Sequence, residues 1–372
     1  MLHVFSSPAR YVQGRDATHA LPDELIRLGL SGKAMIVASP SARRLLESVW
    51  RETFAARGLA HEVYEFGGEC STAEIARGKE YGQRCGAGFI IGAGGGKALD
   101  AARAIASELD LPVACCPTTA SSDAPCSALS VIYTQEGVFE KILYYRRNPD
   151  LVLVDSSVVA RAPVRLLVAG MGDALATFFE ADTAIGAHRR NVAGGAATIA
   201  AAAIARLCYR TLLDDGEAAI AAATAQTVTP ALERIIEANT LLSGLGFESA
   251  GLAVAHSVHN GLTAAPETHA FLHGEKVAFG TLTQLVLEGR PRELLEEVMG
   301  FCLAVGLPIT LAGLGLANLT METAEAIARR ATAPDESAHN EPFAVTAPMI
   351  RDAILAADAL GSRFRSRRNG VA

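Results

Sequence analysis

The 372-residue chain has no apolar run long enough to cross a bilayer, no cysteines at C-x-x-C spacing and no excess of positive charge. A spanning helix needs about 20 apolar residues. The longest apolar stretches, such as Val192 to Ala205, are shorter, Ala-rich and interrupted by Gly194-Gly195, and read as buried helices. The seven cysteines are odd in number, and the adjacent Cys115 and Cys116 do not readily close an ordinary disulfide, which points to a reducing compartment. The opening residues, Met1-Leu2-His3-Val4-Phe5-Ser6-Ser7-Pro8, lack the charged start and apolar core of a signal peptide, so a cytoplasmic location is expected. A formal net charge of −7 leaves no broad basic field, and Arg363, Arg365, Arg367 and Arg368 read as a solvated tail. Neither nucleic acid nor a membrane is expected as a partner.

Length alone makes two domains the expectation. The first part alternates short apolar strands with helical stretches: Ala34 to Ala38 before a helix from about Ser41 to Arg57, His61 to Phe66 before one from about Ser71 to Cys85, Phe89-Ile90-Ile91 before one over Ala98 to Ser107, then Val113 to Cys116. Such alternation implies an α/β domain with a largely parallel sheet. Leu129 to Tyr133 and Leu151 to Val154 add strands, and Gln135-Glu136-Gly137 signals a local hairpin. After about Pro163 helix formers dominate, with helices expected over about Val192 to Leu213, Glu217 to Leu245, Ala278 to Leu287, Leu294 to Val305, Glu322 to Arg330 and Ala347 to Leu360. The expected division is an α/β dinucleotide-binding domain over 1–162 and an all-α domain over 163–372 that carries the metal ligands and the catalysis.

Two loops in the first domain carry ligand-binding chemistry. After the strand Ile90-Ile91, Gly94, Gly95 and Gly96 would let a pyrophosphate approach the backbone at the opening of a helix, followed by Lys97 and Asp100. The pattern is neither G-x-G-x-x-G nor a Walker loop. Pro117-Thr118-Thr119-Ala120-Ser121-Ser122-Asp123-Ala124-Pro125-Cys126-Ser127 concentrates hydroxyls and one carboxylate just after a strand, where open α/β sheets bind ligands. In the second domain, Gly170-Met171-Gly172-Asp173-Ala174-Leu175-Ala176-Thr177, His256-Ser257-Val258-His259-Asn260 and His273-Gly274-Glu275-Lys276 offer a carboxylate and imidazoles suited to a divalent cation. His256 and His259 are three apart and His269 and His273 four apart, so helical periodicity does not choose among the four.

Taken together and in order, Gly-Gly-Gly-Lys-x-x-Asp, Pro-Thr-Thr-Ala-Ser-Ser-Asp-Ala-Pro-Cys-Ser-Ala-Leu-Ser-Val-Ile-Tyr, Gly-Met-Gly-Asp-Ala-Leu-Ala-Thr, His-Ser-Val-His-Asn-Gly-Leu and His-Gly-Glu-Lys-Val-Ala-Phe-Gly resemble the glycerol dehydrogenases of the iron-containing alcohol dehydrogenase family. The similarity continues to His339-Asn340-Glu341-Pro342-Phe343. The resemblance implies a dehydroquinate synthase-like fold: a Rossmann-like α/β N-terminal domain and an all-α C-terminal one. It implies Asp173, His256 and His273 as metal ligands, Asp123 as the carboxylate that meets the substrate hydroxyls, and cofactor contacts from Gly94, Gly95, Gly96, Lys97, Asp100, Thr118, Thr119, Ser121, Ser127, Leu129 and Tyr133. His259 and His269 are then left in supporting roles. Iron-using relatives place a further His one helical turn after the Asp; here that position is Thr177, which favours zinc with three protein ligands.

The implied activity is reversible oxidation of glycerol or a small vicinal diol to the hydroxyketone, with Zn2+ as Lewis acid and NAD as hydride acceptor. NADP stays open, because Ser39 stands at the end of the second strand where NAD-preferring relatives tend to carry an acidic residue, with Arg43 and Arg44 close by. Two alternatives share the fold: an NADPH-dependent reductase of 2-oxo acids or other small carbonyl compounds, and a dehydroquinate synthase-like lyase. Relatives of this kind form oligomers, often octamers, so a homo-oligomer is expected.

Overall fold

Near-continuous burial along the central strands of the first half, with successive side chains on opposite faces, builds one sheet with a core on each face. In a computed structural model, which describes residues 1–135, 137–368 and 370, the strands are β1 (Tyr11–Gly14), β2 (Lys33–Ala38), β3 (His61–Glu65), β4 (Ala87–Gly94), β5 (Val113–Pro117), β6 (Leu129–Tyr133), β7 (Phe139–Tyr144) and β8 (Leu151–Asp155). Six of them form a sheet in the order β1-β8-β5-β4-β2-β3, parallel at every pairing. Ala34, Ile36, Ala38, Phe89 and Ile91 face one core with Trp50 and Phe54, while Met35, Val37 and Ile90 face the other with Ile105 and Ile132. β6 and β7 pair antiparallel, as the turn signal implied, although Glu136 itself lies outside the described residues.

The helices between these strands are α1 (Leu21–Arg27), α2 (Pro40–Ala56), α3 (Thr72–Cys85) and α4 (Gly96–Leu109). Ser39 caps α2, its hydroxyl accepting from the Ala42 N–H, and Ser71 caps α3 through the Glu74 N–H. α4 has no side-chain cap; Gly95 stands at its N-cap. Its opening N–H groups therefore depend on something other than a capping side chain.

Beyond β8 the described regular elements are helices: α5 (Ser156–Ala160), α6 (Val164–Gly186), α7 (Ile199–Thr224), α8 (Pro230–Glu237), a π-helical turn at Ala238–Leu242, α9 (Ser243–Ala250), α10 (Val254–Leu262), α11 (His273–Leu287), α12 (Arg292–Val305), α13 (Met321–Ala331) and α14 (Ala347–Arg368), besides short 3-10 turns. Several expected boundaries differ: α7 begins at Ile199 rather than near Val192, α11 at His273 rather than Ala278, and α14 continues past Leu360 to Arg368. α7 runs straight through Asp214-Asp215-Gly216, because Gly216 is the small residue that lets α7 lie against Phe301; a Cβ there would sit 3.0 Å from its ring. The break comes instead at Gln226, whose φ of 53° is left-handed, just before the Thr229-Pro230 start of α8. No helix among the described residues is long and apolar enough to cross a membrane.

The chain forms two compact units. One holds Ser6–Val164 with Ala221–Gly244; the other holds Met1–Phe5, Arg165–Ile220 and Leu245–Ala372.

Candidate metal centre and cofactor loops

In the sheet-bearing unit, register brings three strand ends together. Ala38 is opposite Ala93 and Gly94 opposite Pro117, so Ser39, Gly94 and Thr118 emerge at the same edge. The Ser39 N–H donates to the Ala93 carbonyl at 2.9 Å and the Thr118 N–H to the Gly94 carbonyl at 3.0 Å. Gly94 has φ of 152°, and a Cβ on it would meet Ala98 and Ser39 at about 3 Å, so the turn into α4 requires glycine there. Thr119 and Ser121 lie beside this turn with their hydroxyls 3.2 Å apart. Lys97 is exposed, pairs with Glu69 at 2.5 Å and lies 5.1 Å over the Tyr133 ring. Burial pushes the Tyr133 phenol well above its ordinary pKa. Ser127 is buried beneath the Ala124 carbonyl, and Leu129 opens β6.

Two acidic residues of these loops have distinct settings. Asp100 is buried; one carboxylate oxygen pairs with Arg103 and the other accepts from the Val131 N–H at 3.1 Å. That pair ties α4 to β6. Asp123 is nearly buried and accepts at 2.7 Å from Ser243, a residue that sequence reasoning did not single out. The π-helical turn at Ala238–Leu242 precedes Ser243, and Asn239 within it donates to the Ala120 carbonyl at 2.9 Å. One extra residue in a helical turn re-aims the side chains that follow. No periodicity marks it.

In the helical unit, Asp173 on α6, His256 on α10 and His273 at the start of α11 converge. The Nε2 atoms of His273 and His256 lie 3.1 and 3.4 Å from the same Asp173 Oδ1. Two donors each about 2.1 Å from one ion at a tetrahedral angle are about 3.4 Å apart, so this spacing fits a shared divalent cation. Asp173 is 1% exposed, whereas the His273 side chain is 40% exposed, which leaves one side of the trio accessible. Burial alone would raise the Asp173 pKa, but the imidazoles of His273 and His256 hold it well below the carboxylate range. Burial would likewise lower His256, yet Glu180 and Asp173 outweigh it and push it well above its ordinary value.

Glu180, two turns beyond Asp173 on α6, is fully buried behind His256. One of its oxygens lies 2.6 Å from His256 Nδ1, and the other accepts from the N–H groups of Ala253 and His256 at 2.9 and 3.0 Å. A carboxylate on the far nitrogen of an imidazole fixes the ring and its tautomer, leaving Nε2 for a ligand. The seven-residue spacing from Asp173 was its only sequence signal. His259 stands behind His273, its Nε2 3.0 Å from His273 Nδ1, and burial with the charges of His273 and Lys276 keeps it well below its ordinary pKa. His269 lies in a 3-10 turn ahead of α11 rather than on the helix, and bonds to the Thr263 carbonyl.

The His-Gly-Glu motif gains three separate roles. His273 belongs to the trio. Gly274 lets α11 touch α6, since a Cβ there would fall 1.7 Å from the Ala169 carbonyl oxygen, and a Cβ on Gly172 would fall 2.3 Å from the Gly274 carbonyl. Glu275 closes the helix start by accepting from the Leu272 N–H and pairs with Arg165 at 2.6 and 2.8 Å. The motif ending in Phe343 clamps α10: Ser337 and Asn340 donate to the carbonyls of Ala253 and Leu252, and the Ala338 N–H donates to Ser257. Next to them Glu341 is fully buried with neither carboxyl oxygen meeting a donor among the described residues. Burial, with Glu288 and Glu180 adding to it and Arg290 opposing, pushes its pKa up to about 8.

Residues 8–156 match the family model of iron-containing alcohol dehydrogenases. The glycerol dehydrogenase of Pseudomonas putida is 51% identical, over 98% of this chain and 99% of its own length. The glycolaldehyde reductase of Halobacterium salinarum is 47% identical, over 99% of this chain and 100% of its own. A crystal structure of glycerol dehydrogenase from Schizosaccharomyces pombe is similar with a TM-score of 0.93 at 40% identity, covering 100% of this chain and 94% of that one.

Gly274→Ala should force α11 away from α6 and move His273 relative to Asp173. Overpacking of this kind costs about 1–3 kcal/mol. Denaturant unfolding and metal titration should show both a lower midpoint and at least roughly tenfold weaker metal binding; a stable variant with unaltered metal affinity would contradict the proposed constraint.

Glu341 links stability to pH in a definite direction. Its folded pKa, about 8, exceeds the 4.5 of an ordinary glutamate, so between those values the folded chain keeps a proton that the unfolded chain has released. Stability from this group is therefore complete below about pH 4.5 and is lost as pH rises toward 8. Glu341→Gln, which mimics the neutral carboxyl, should flatten that decline, giving a Tm at pH 8 higher than the parent by at least about 2 °C once the two are matched at pH 5. Parallel Tm curves across that range would rule the linkage out.

Proposed function

The chain belongs to the iron-containing alcohol dehydrogenase family, and from that membership we infer that it is a nicotinamide- and metal-dependent polyol dehydrogenase that oxidises glycerol to the hydroxyketone. The observation that carries this reading on the chemical side is the convergence of Asp173, His256 and His273 on one point with an accessible side. The 51% identity to a glycerol dehydrogenase along nearly the whole chain supports glycerol as substrate, and the 2-oxo acid reductase reading is not favoured.

Oxidation removes a hydride from the carbinol carbon and a proton from its hydroxyl. Asp173, His256 and His273 would hold a divalent cation, whose Lewis-acid polarisation of that hydroxyl would lower the cost of losing the proton. The Gly94–Lys97 turn and the 118–121 loop would hold the nicotinamide cofactor, the group that would accept the hydride. Asp123, which accepts from Ser243, is the carboxylate that would meet a further hydroxyl of the polyol. Glu180 holds the His256 ring with Nε2 toward Asp173, where the cation would be bound.

Zinc is the metal of this reading. Position 177, one turn after Asp173, holds a threonine whose methyl abuts α9, where a Cβ on Gly246 would come within 2.4 Å. A fourth protein ligand is thus absent from that turn, and three protein ligands with an open position suit catalytic zinc. NAD is the preferred cofactor: Arg43 is paired with Glu47 at 3.1 Å and with Glu65 at 3.0 Å, so its charge is already answered by two carboxylates that would repel a 2′-phosphate. A cytoplasmic homo-oligomer completes the proposal.

The test is cofactor reduction with glycerol, measured beside metal content. Asp173→Asn, His256→Ala and His273→Ala should each lose bound zinc and turnover together, because two remaining ligands hold the ion too weakly. Full zinc content with normal turnover in any of them would remove that residue from the site.

Position 39 tests the cofactor placement separately. Ser39→Asp should raise the efficiency ratio of NAD over NADP by roughly tenfold or more, by adding a ribose acceptor and repelling a 2′-phosphate. An unchanged ratio would place the adenosine ribose elsewhere.

A further inference from the structure

The two imidazoles of the trio are supported from behind in different ways. His256 meets the Glu180 carboxylate directly, whereas His273 leads into a chain of neutral groups that ends on a carboxylate. His273 Nδ1 lies 3.0 Å from His259 Nε2, and His259 Nδ1 lies 3.0 Å from Asn260 Oδ1. Asn260 Nδ2 then donates to the two Glu336 oxygens at 3.2 and 3.0 Å, and Glu336, 7% exposed, pairs with Arg330 at 2.5 Å.

Each link dictates the direction of the next. A carboxylate only accepts, so Asn260 turns its NH2 group to Glu336 and its carbonyl oxygen to His259. That oxygen only accepts, so His259 carries its proton on Nδ1 and has a lone pair on Nε2. The lone pair in turn requires His273 to donate from Nδ1, which leaves His273 Nε2, the atom facing Asp173, without a proton. With the chain reversed, His273 would point an N–H at the place where a cation belongs.

We propose that Glu336 is a positioning residue which, through Asn260 and His259, sets the ring tautomer in which His273 offers its Nε2 lone pair to the cation. It does for His273, at two removes, what Glu180 does for His256 by contact. The clamp formed by Ser337, Ala338 and Asn340 on α10 holds Glu336 in register with Asn260. The inference rests on the reading of Asp173, His256 and His273 as a metal site.

A double-mutant cycle on the full-length protein tests it, with the Zn2+ dissociation constant read by chelator competition. Glu336→Gln has an amide that can present either a donor or an acceptor to Asn260, so it removes the directionality. It should weaken Zn2+ binding by roughly ten- to hundredfold. In a His259→Phe background, where the chain is already cut, the same change should have an effect of less than about twofold. The Co2+-loaded protein should show an altered visible absorption spectrum in Glu336→Gln and in His259→Phe alike. If Glu336→Gln folds poorly, Asn260→Leu cuts the chain while leaving the Glu336–Arg330 pair, and enters the same cycle. Equal weakening in both backgrounds, as a merely structural role would give, or no weakening at all, overturns the proposal. Loss of Zn2+ in Asp173→Asn together with an inert Glu336→Gln would sink this inference alone; retention of Zn2+ in Asp173→Asn would sink the site and the inference with it.

Discussion

The contact between α6 and α11 at Gly172 and Gly274 is the constraint on which the candidate metal centre depends. Two helices normally stand 8–10 Å apart, separated by side chains. Here the backbones meet, with no room for a Cβ on either glycine. Asp173 and His273 are the immediate neighbours of these two glycines in sequence. The closeness of the helices is therefore transmitted to these two side chains without a flexible intermediate, and Asp173 reaches His273 from a fully buried position. Glu275, by closing the N-terminus of α11 and pairing with Arg165, anchors the same helix end from its other side.

A buried carboxylate at such a contact needs compensation, since an unpaired buried charge is strongly disfavoured. On our reading a divalent cation shared with the Nε2 atoms of His256 and His273 would supply it for Asp173, and each imidazole is oriented from behind. The polar groups thus form a continuous interior network rather than three isolated ligands, extending through Glu180 on one side and through His259, Asn260 and Glu336 on the other. Glu341 marks where compensation fails: it faces other carboxylates and meets no donor among the described residues, so burial favours its neutral form.

Much of this was legible in the sequence because it is local. Strand–helix alternation implied the parallel sheet, and the turn at Gly94 to Gly96 stood out by composition. The convergence of Asp173, His256 and His273 required the family resemblance, since helical spacing left four histidines equivalent. What stayed hidden is non-local. Glu180 and Glu336 read as ordinary acidic residues on helical or polar segments, and only the fold brings them behind a histidine. The π-helical turn before Ser243 and the excursion of residues 221–244 into the sheet-bearing unit have no signature in periodicity, because both follow from packing against partners far away in sequence.

The same distinction bears on metal choice. Carboxylate and imidazole donors accept many divalent ions, so the trio itself is not selective. Selectivity has to come from what surrounds it, and on our reading the relevant neighbour is not a ligand. Thr177 occupies the turn after Asp173 with its methyl pressed on the α9 backbone at Gly246, so that a larger ring at 177 would have to displace a helix rather than fill a gap. On the zinc reading, a coordination number limited by packing would leave the remaining position to substrate, and would do so without any residue that a search for metal ligands would select.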